Sequence, residues 1–421
     1  MEDVIIIGAG MAGLTAALEL KRAGRSFSIL EAGDAPGGRA RARTLPSGVV
    51  ADLGAHWLHG EDNVLKAELD RYGIGFVPDQ AETLHIFENG EAREEAADGW
   101  LDYAIDHTKA ERVKSGEAPD CALDDLGIDK TSRQRLAEFG RMWDGIDAPL
   151  RPSAREFLTD ENTPGGIQID GGICALIAKM VEDIGKEHLY LRRSVSRISE
   201  TPEGMRVQAM DGSVWLARRV IFTGSLGVLQ SGLVKFAPAL SGDFQEHLGG
   251  LAMGKVNKII IELDPLFIAE RGIPVDMTML LLDGEPPHFC HAHSAGQPVL
   301  QLYVCGKQAE MVEAFAPEEA VAYVQQVLAP VEALAGFADH VLSPAITTRW
   351  VANPYTRGAY SSCLPGATRS GPWTEGMITF CGDTFDDRFP ASLAGAFRSG
   401  KAGAQVVIGA LAEVLPEEMP A

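Results

Sequence analysis

The chain is short of positive charge. Its 421 residues carry 37 Lys and Arg against 59 Asp and Glu, a formal net charge of −22. Nucleic acids and anionic membranes are held by clustered cations, so this balance argues against both as partners. A cationic small-molecule substrate would suit it, and so would solubility alone. Cysteine is also sparse. Cys121, Cys174, Cys290, Cys305, Cys363 and Cys381 lie far apart with no C-x-x-C pair, which fits reduced thiols better than a disulfide frame. Long hydrophobic runs are missing, and no window approaches the roughly 18 uninterrupted apolar residues of a membrane span. The start, Met1-Glu2-Asp3, places acid ahead of a short apolar run, where an export signal has a basic region and a longer apolar one. The expectation is a soluble cytoplasmic protein. Repeats, low-complexity stretches and Ser/Gly linkers are lacking too. What is present is 46% apolar residues, enough to exclude a disordered chain, and a length that points to two or three domains.

The first forty residues are the most legible. Val4 to Ile7 is a β-branched run of the length of a buried parallel strand, Leu14 to Ala23 has helical character closed by Gly24, and Ser26 to Glu31 reads as a second strand. Between the first strand and the helix stands Gly8-Ala9-Gly10-Met11-Ala12-Gly13, a G-x-G-x-x-G at a strand-to-helix turn. In such a turn Gly8 permits the bend, Gly10 lets a pyrophosphate approach the backbone, and Gly13 lets helix and strand pack closely. Glu31, eighteen positions past Gly13, is placed to accept hydrogen bonds from adenosine ribose hydroxyls and to repel a 2′-phosphate, which disfavours NADP. Gly37-Gly38-Arg39 follows, with glycines for close approach and a guanidinium to offset pyrophosphate charge.

Here the chain resembles the flavin-containing amine oxidases, and polyamine oxidases in particular. Asp52-Leu53-Gly54-Ala55-His56-Trp57-Leu58-His59-Gly60 is similar to the stretch after their G-G-R element. Ser225-Leu226-Gly227-Val228-Leu229-Gln230-Ser231, Phe380-Cys381-Gly382-Asp383 and Ser392-Leu393-Ala394-Gly395-Ala396 also match, so the likeness covers essentially the whole chain. It implies an α/β fold in which a Rossmann-like FAD-binding domain, of the glutathione-reductase type, interleaves with a mixed-sheet and helical substrate-binding domain. The expected division is residues 1–75, 182–255 and 345–421 for FAD and 76–181 and 256–344 for substrate. It further implies cofactor contacts from Ala12, Gly38, Gly54, Ala55, His56, Trp57, Val195, Trp350, Gly382, Asp383, Ser392 and Leu393. Val195 would read the adenine edge, and the helix after Ser392 would aim its N-terminal amides at the flavin. Asp383 stands where relatives usually have Glu.

The same resemblance assigns the chemistry. Gly254-Lys255-Val256-Asn257-Lys258 matches a G-x-x-x-K, and Lys258, not Lys255, takes the place of the lysine that holds a water near the flavin. A buried lysine there would have a depressed pKa and could handle protons. Tyr360 matches an aromatic residue that flanks the substrate nitrogen. Ala359 occupies the position at which monoamine oxidases attach flavin to cysteine, so the FAD is expected without a covalent link. Ser392 replaces the second ring of the monoamine-oxidase cage and moves the expectation toward a polyamine or another bulky amine. His59 matches a histidine near the substrate channel that could bond an amine or relay a proton. The implied reaction oxidises a C–N bond to an imine, hydrolysed to aldehyde and amine, while O₂ becomes hydrogen peroxide. An L-amino-acid oxidase, with Arg141, Arg357 or another arginine on the carboxylate, a C–C desaturase, and a non-catalytic flavoprotein or interaction module remain the alternatives.

Two local features favour plainer explanations. From Asp79 to Asp125 there are fourteen Asp or Glu against four Lys or Arg, a run expected to face water. His288, Cys290, His291 and His293 resemble metal ligands, but strand alternation sends His291 and His293 to one face and His288 and Cys290 to the other. The quartet is expected to be strand, with no metal.

Overall fold

The computed structural model describes residues 1–60, 63–79, 83–96, 104–162, 166–284 and 287–413. The apolar run near the start is the strand Glu2–Ile7, with Val4–Ile7 all buried. It lies inside a nine-stranded sheet, paired in parallel with Phe27–Leu30 on one side and Val214–Phe222 on the other. The helix Met11–Arg22 packs on this sheet beside Ile173–Ile184 and Leu393–Ala412, around Leu14, Leu18, Ile177, Met180 and Val407. The strand Ile378–Phe380 returns to pair in parallel with Val220–Phe222, so the two ends of the described chain share one layer. The expected α/β architecture is borne out.

The alternating runs Leu189–Ile198, Met205–Met210 and Val214–Phe222, separated by Glu203-Gly204 and Asp211-Gly212, predict a meander with hairpin-type turns, and it is present as Val195–Thr201, Gly204–Ala209 and Val214–Phe222, antiparallel throughout. One expectation needs correction. The run from Leu189 to Ile198 is two strands, because Arg192 takes a left-handed conformation (φ 57°) and breaks it. Leu189–Tyr190 pairs with Ile29–Leu30 at one edge of the sheet, and Val195 opens the meander elsewhere in it.

A second, seven-stranded sheet runs in the order Ile346–Thr347, Val256–Glu262, Val299–Cys305, His288–Ala292, Met277–Leu281, Thr83–Glu88 and Glu91–Ala96. Strand alternation separates its two faces. Ile259, Ile261, Leu300, Leu302, Val304, Cys290 and Met279 form an aliphatic core with the helices Pro265–Arg271 and Pro317–Val327. The opposite face therefore collects Lys258, Gln301, Tyr303, Phe289 and His291, and this face bears the site. A small antiparallel sheet of Leu58–His59, Gly166–Ile169 and Phe76–Pro78 lies between these layers in sequence. The expected boundary at 181/182 falls inside the helix Ile173–Ile184, and Ile346–Thr347 pairs with Ile260 and Ile259 of the second sheet. Among the described residues no helix is long and apolar enough to cross a membrane.

Candidate active site

A cavity of about 940 Å³ extends from the glycine turn of the first sheet to the aromatic face of the second. Its glycine end is shaped by main chain. Gly8 has φ +100°, a conformation that side chains resist. A Cβ on Gly13 would stand 2.0 Å from the Gly8 carbonyl oxygen, so close helix–strand packing requires glycine there. Gly10 differs: a Cβ on it would meet no protein atom nearer than the Gly37 oxygen, at 4.0 Å, and it lines the cavity. The helix Met11–Arg22 starts from Gly10 with no side-chain cap and no acid in its first turn. Its N-terminal amides thus suit an anion, and these residues fit a dinucleotide pyrophosphate.

Glu31 is fixed by main-chain donors, accepting from Ala9 N at 2.8 Å and Gly33 N at 2.7 Å. Burial raises its pKa, while these amides oppose the rise. A carboxylate has about four acceptor sites, so capacity remains for hydroxyl groups. Ala12, Gly38, Gly54, Ala55, His56, Trp57, Val195, Gly382, Asp383, Ser392 and Leu393 also line the cavity. Gly54 is another close approach, since a Cβ would lie 1.9 Å from the Arg39 oxygen. Arg39 forms a forked pair with Asp383, at 3.0 and 2.5 Å, and its Nη1 also donates to the Ala359 carbonyl. The shorter acid at 383 thus reaches Arg39 across the cavity wall.

Lys258 and Trp350 stand behind the wall. Lys258 Nζ donates to the Asp52 carbonyl (3.3 Å) and Gln301 Oε1 (3.2 Å) and lies 4.9 Å from the Tyr303 ring centroid. Desolvation pushes its pKa down to about 7, with the Asp52 charge opposing. Burial raises Asp52 to about 6, against the Ile173 amide and Lys258. Trp350 Nε1 donates to the Leu53 carbonyl (3.1 Å), and its main-chain N donates to Asn257 Oδ1 (2.9 Å), so it props the Asp52–Gly54 segment from outside. Lys255, by contrast, pairs with Glu310 at the surface.

The other end is aromatic. Tyr360 lines it with its Oη donating to the Trp143 carbonyl at 2.5 Å. Ser392 Oγ donates to the Phe389 carbonyl (2.9 Å) and accepts from Gly395 N (3.1 Å), which makes it the cap of the helix Leu393–Ala412. His59 is half-buried on the wall. Sequence patterns did not identify Trp143, Phe289 or Tyr303. Phe289 meets Trp57 at 6.3 Å, Tyr303 at 5.0 Å and Trp143 at 6.4 Å, in each case edge to face. Alternation in Val299–Cys305, aliphatic at 300, 302 and 304, was the available signal for Tyr303. Trp57 Nε1 and Tyr303 Oη are buried with no hydrogen-bond partner among the described residues. An unmet buried polar group costs about 1–3 kcal/mol, so the arrangement suits a polar ligand atom. Asp144, also on the wall, is raised to about 7 by burial, against the hydrogen bond from Ser362 Oγ.

The arginines on the wall are committed to acids: Arg39 to Asp383, Arg41 to Asp34, Arg193 to Asp211 and Arg369 to Glu156. Arg141 and Arg357 do not line the cavity. In the histidine quartet, His288–Ala292 is strand, but His293 lies beyond it in a left-handed turn (φ 56°), so it does not extend the strand face as expected.

A glycine turn feeding a long cavity with an aromatic far end and a buried lysine behind it is the layout of a flavoprotein oxidoreductase. The chain matches the family model for flavin containing amine oxidoreductases over residues 11–408 and belongs to that family, which implies a flavin cofactor. It is 26% identical over 438 residues to lysine-specific histone demethylase 1 homolog 3 of Oryza sativa subsp. indica, covering 94% of this chain and 53% of that protein. The chain thus spans about half the length of the histone demethylase homologues it matches. Polyamine oxidase 4 of Oryza sativa subsp. japonica is 25% identical, across 96% of this chain and 88% of that one. A solved structure of wild-type putrescine oxidase bound to putrescine superposes with a TM-score of 0.80 at 20% identity, covering 97% of this chain and 99% of that one, a likeness of fold.

Proposed function

We propose that the protein is a cytoplasmic FAD-dependent amine oxidase: it converts a C–N bond of a polyamine or other bulky amine to an imine, hydrolysed to aldehyde and amine, with O₂ reduced to hydrogen peroxide. The observation that carries this is the single cavity joining the Gly8–Gly13 turn to the ring cluster of Trp57, Phe289, Tyr303 and Tyr360. FAD, when bound, supplies the acceptor for the electrons and hydrogen leaving the amine's α-carbon. The nine-stranded sheet and its helices serve as the FAD domain and the seven-stranded sheet as the substrate domain.

In this scheme Gly8, Gly10 and Ala12 hold the pyrophosphate on a turn that Gly13 lets pack closely, with Glu31 on the ribose and Val195 on the adenine. Arg39 and Asp383, clasped together, fix the wall near Gly54, Ala55, His56 and Gly382. Ala359 offers no nucleophile, so the cofactor is bound without a covalent link. The aromatic end orients the amine and, being poorly hydrated, favours its neutral form. Tyr360 is already positioned by its bond to Trp143, and His59 contacts substrate on the same wall. Lys258 holds or moves a proton at Nζ, a role that fits its depressed pKa. Ser392 acts through the helix it caps and leaves room where a second ring would stand. The commitment of every wall arginine to an acid favours an amine over an amino-acid carboxylate.

The test is anaerobic mixing of the flavin-loaded protein with spermine, spermidine, acetylated polyamines, simple monoamines and L-amino acids. Bleaching of the flavin band by at least one amine is expected. No bleaching by any amine, or bleaching by L-amino acids alone, would overturn the proposal.

A further inference from the structure

The histidine quartet leaves one member over. His288 Nε2 is bonded to Tyr323 Oη at 2.8 Å, His293 Nδ1 to the Ile273 carbonyl at 2.9 Å, and Cys290 is buried in the aliphatic core. His291 points the other way, is 0% exposed, and has no hydrogen-bond partner at either ring nitrogen among the described residues. It faces Asp276, with Nε2 and Oδ1 3.5 Å apart. Asp276 is itself 1% exposed. One ligand atom each from Asp79, Asp276 and His291 lies within 4.8 Å of the other two.

We infer that Asp79, Asp276 and His291 form a site for a divalent transition-metal ion, Zn²⁺ foremost. The chemistry of the set points there. Two carboxylates and an imidazole are ligands that Zn²⁺ and Mn²⁺ share, whereas Mg²⁺ and Ca²⁺ take oxygen alone. Metal-binding carboxylates are themselves oriented by hydrogen bonds, and Asp276 Oδ1 accepts from Gln168 Nε2 at 2.9 Å and from Ala295 N at 2.6 Å. An unsatisfied buried imidazole is costly, and coordination would satisfy it. The position also favours a compact ion over the ammonium end of a long amine. Asp79 lines the cavity, while Asp276 and His291 lie behind its wall.

An ion there ties three separate pieces together: the segment after Phe76–Pro78, the start of Met277–Leu281, and His288–Ala292. His291 packs edge-on to Trp57 at 5.1 Å, so the site stiffens the backing of the aromatic end. Metal binding there is separate from amine oxidation and is read without turnover.

Untagged flavin-loaded protein, freed of metal by dialysis against chelator, is titrated with ZnCl₂ and then with MnCl₂ in a calorimeter, and its metal content is measured after gel filtration. One saturable Zn²⁺ per chain is expected, weakened about tenfold or more in Asp276→Asn and in Asp79→Asn. The second variant sits at the half-buried cavity edge and keeps the test open if the first fails to fold. Zinc should also raise the melting temperature of the parent protein by more than that of either variant. Absence of saturable binding in the parent, or stoichiometric binding of unchanged affinity in a folded variant, would overturn the inference.

Discussion

The two ends of the cavity are built of different material. At the glycine end the contacts belong to the backbone: the Gly8 turn, the open face of Gly10 and the amides that grip Glu31. At the aromatic end they belong to side chains brought together from Trp57, Trp143, Phe289, Tyr303 and Tyr360. A backbone site forbids Cβ atoms at fixed positions, so it imposes a local motif. A side-chain site needs only the right face of a strand, which many sequences satisfy. The first kind should fail abruptly on substitution and the second by degrees.

The largest expected effect is Gly13→Ala, whose methyl group would overlap the Gly8 carbonyl oxygen. Overpacking of this kind costs roughly 1–3 kcal/mol or more, and protein purified with excess FAD should carry less than about a tenth of the normal flavin. Normal flavin content would show that the turn has slack and would break the contrast.

Next is Lys258→Met. Flavin content should hold while anaerobic flavin reduction or the reaction with O₂ slows by about 10²-fold, the low end for a positioned acid–base group. The pH profile separates this from simple repacking. Burial pushes the Lys258 pKa down to about 7, against the Asp52 charge, so as pH rises through that region it loses its proton and becomes able to accept one. The parent's rate should rise through that window, and the Met variant should lack that limb. Unchanged kinetics would remove Lys258 from the chemistry.

Gly10→Ala is the sharper probe of the backbone end. Its Cβ meets no protein atom closer than 4.0 Å, so the flavin-free protein should melt as the parent does. The Kd for FAD should nevertheless rise about tenfold, because the methyl group occupies the ligand's space. An unaltered Kd would place the pyrophosphate elsewhere.

The smallest effect belongs to Tyr303→Phe. Removing the unpartnered Oη should leave flavin content unchanged and raise the KM for the best amine about threefold, the scale of one modest hydrogen bond. It should also slightly raise the melting temperature of the amine-free enzyme, since a buried unmet hydroxyl is gone. A tenfold or larger loss in kcat would make the aromatic end as unforgiving as the glycine end.

The same contrast explains what could be read in advance. Gly8 and Gly13 were legible because each answers a constraint written within a few residues of itself, Glu31 because its place is set by its spacing from that turn at the end of the next strand, and the meander was legible through its Asp-Gly and Glu-Gly turns. Lys258 became a candidate by resemblance; nothing in its own neighbourhood foretells that Gln301, 43 positions away, accepts from it. The split at Arg192 was missed because its left-handed backbone is imposed by main-chain bonds to Gly33 and, through Arg193, to Glu31. His291 was grouped with its sequence neighbours, whereas its spatial neighbours Asp79 and Asp276 lie on other segments.

The clasp between Arg39 and Asp383 has a bearing on synthesis. It spans 344 positions, and the strand Ile378–Phe380 that precedes Asp383 completes the layer begun by Glu2–Ile7. A chain emerging from the ribosome therefore has its glycine turn well before it has the opposing wall. On the proposed assignment, cofactor capture waits for that wall, and a nascent chain stalled short of Ile378–Phe380 presents the Gly8–Gly13 turn with nothing to close over it.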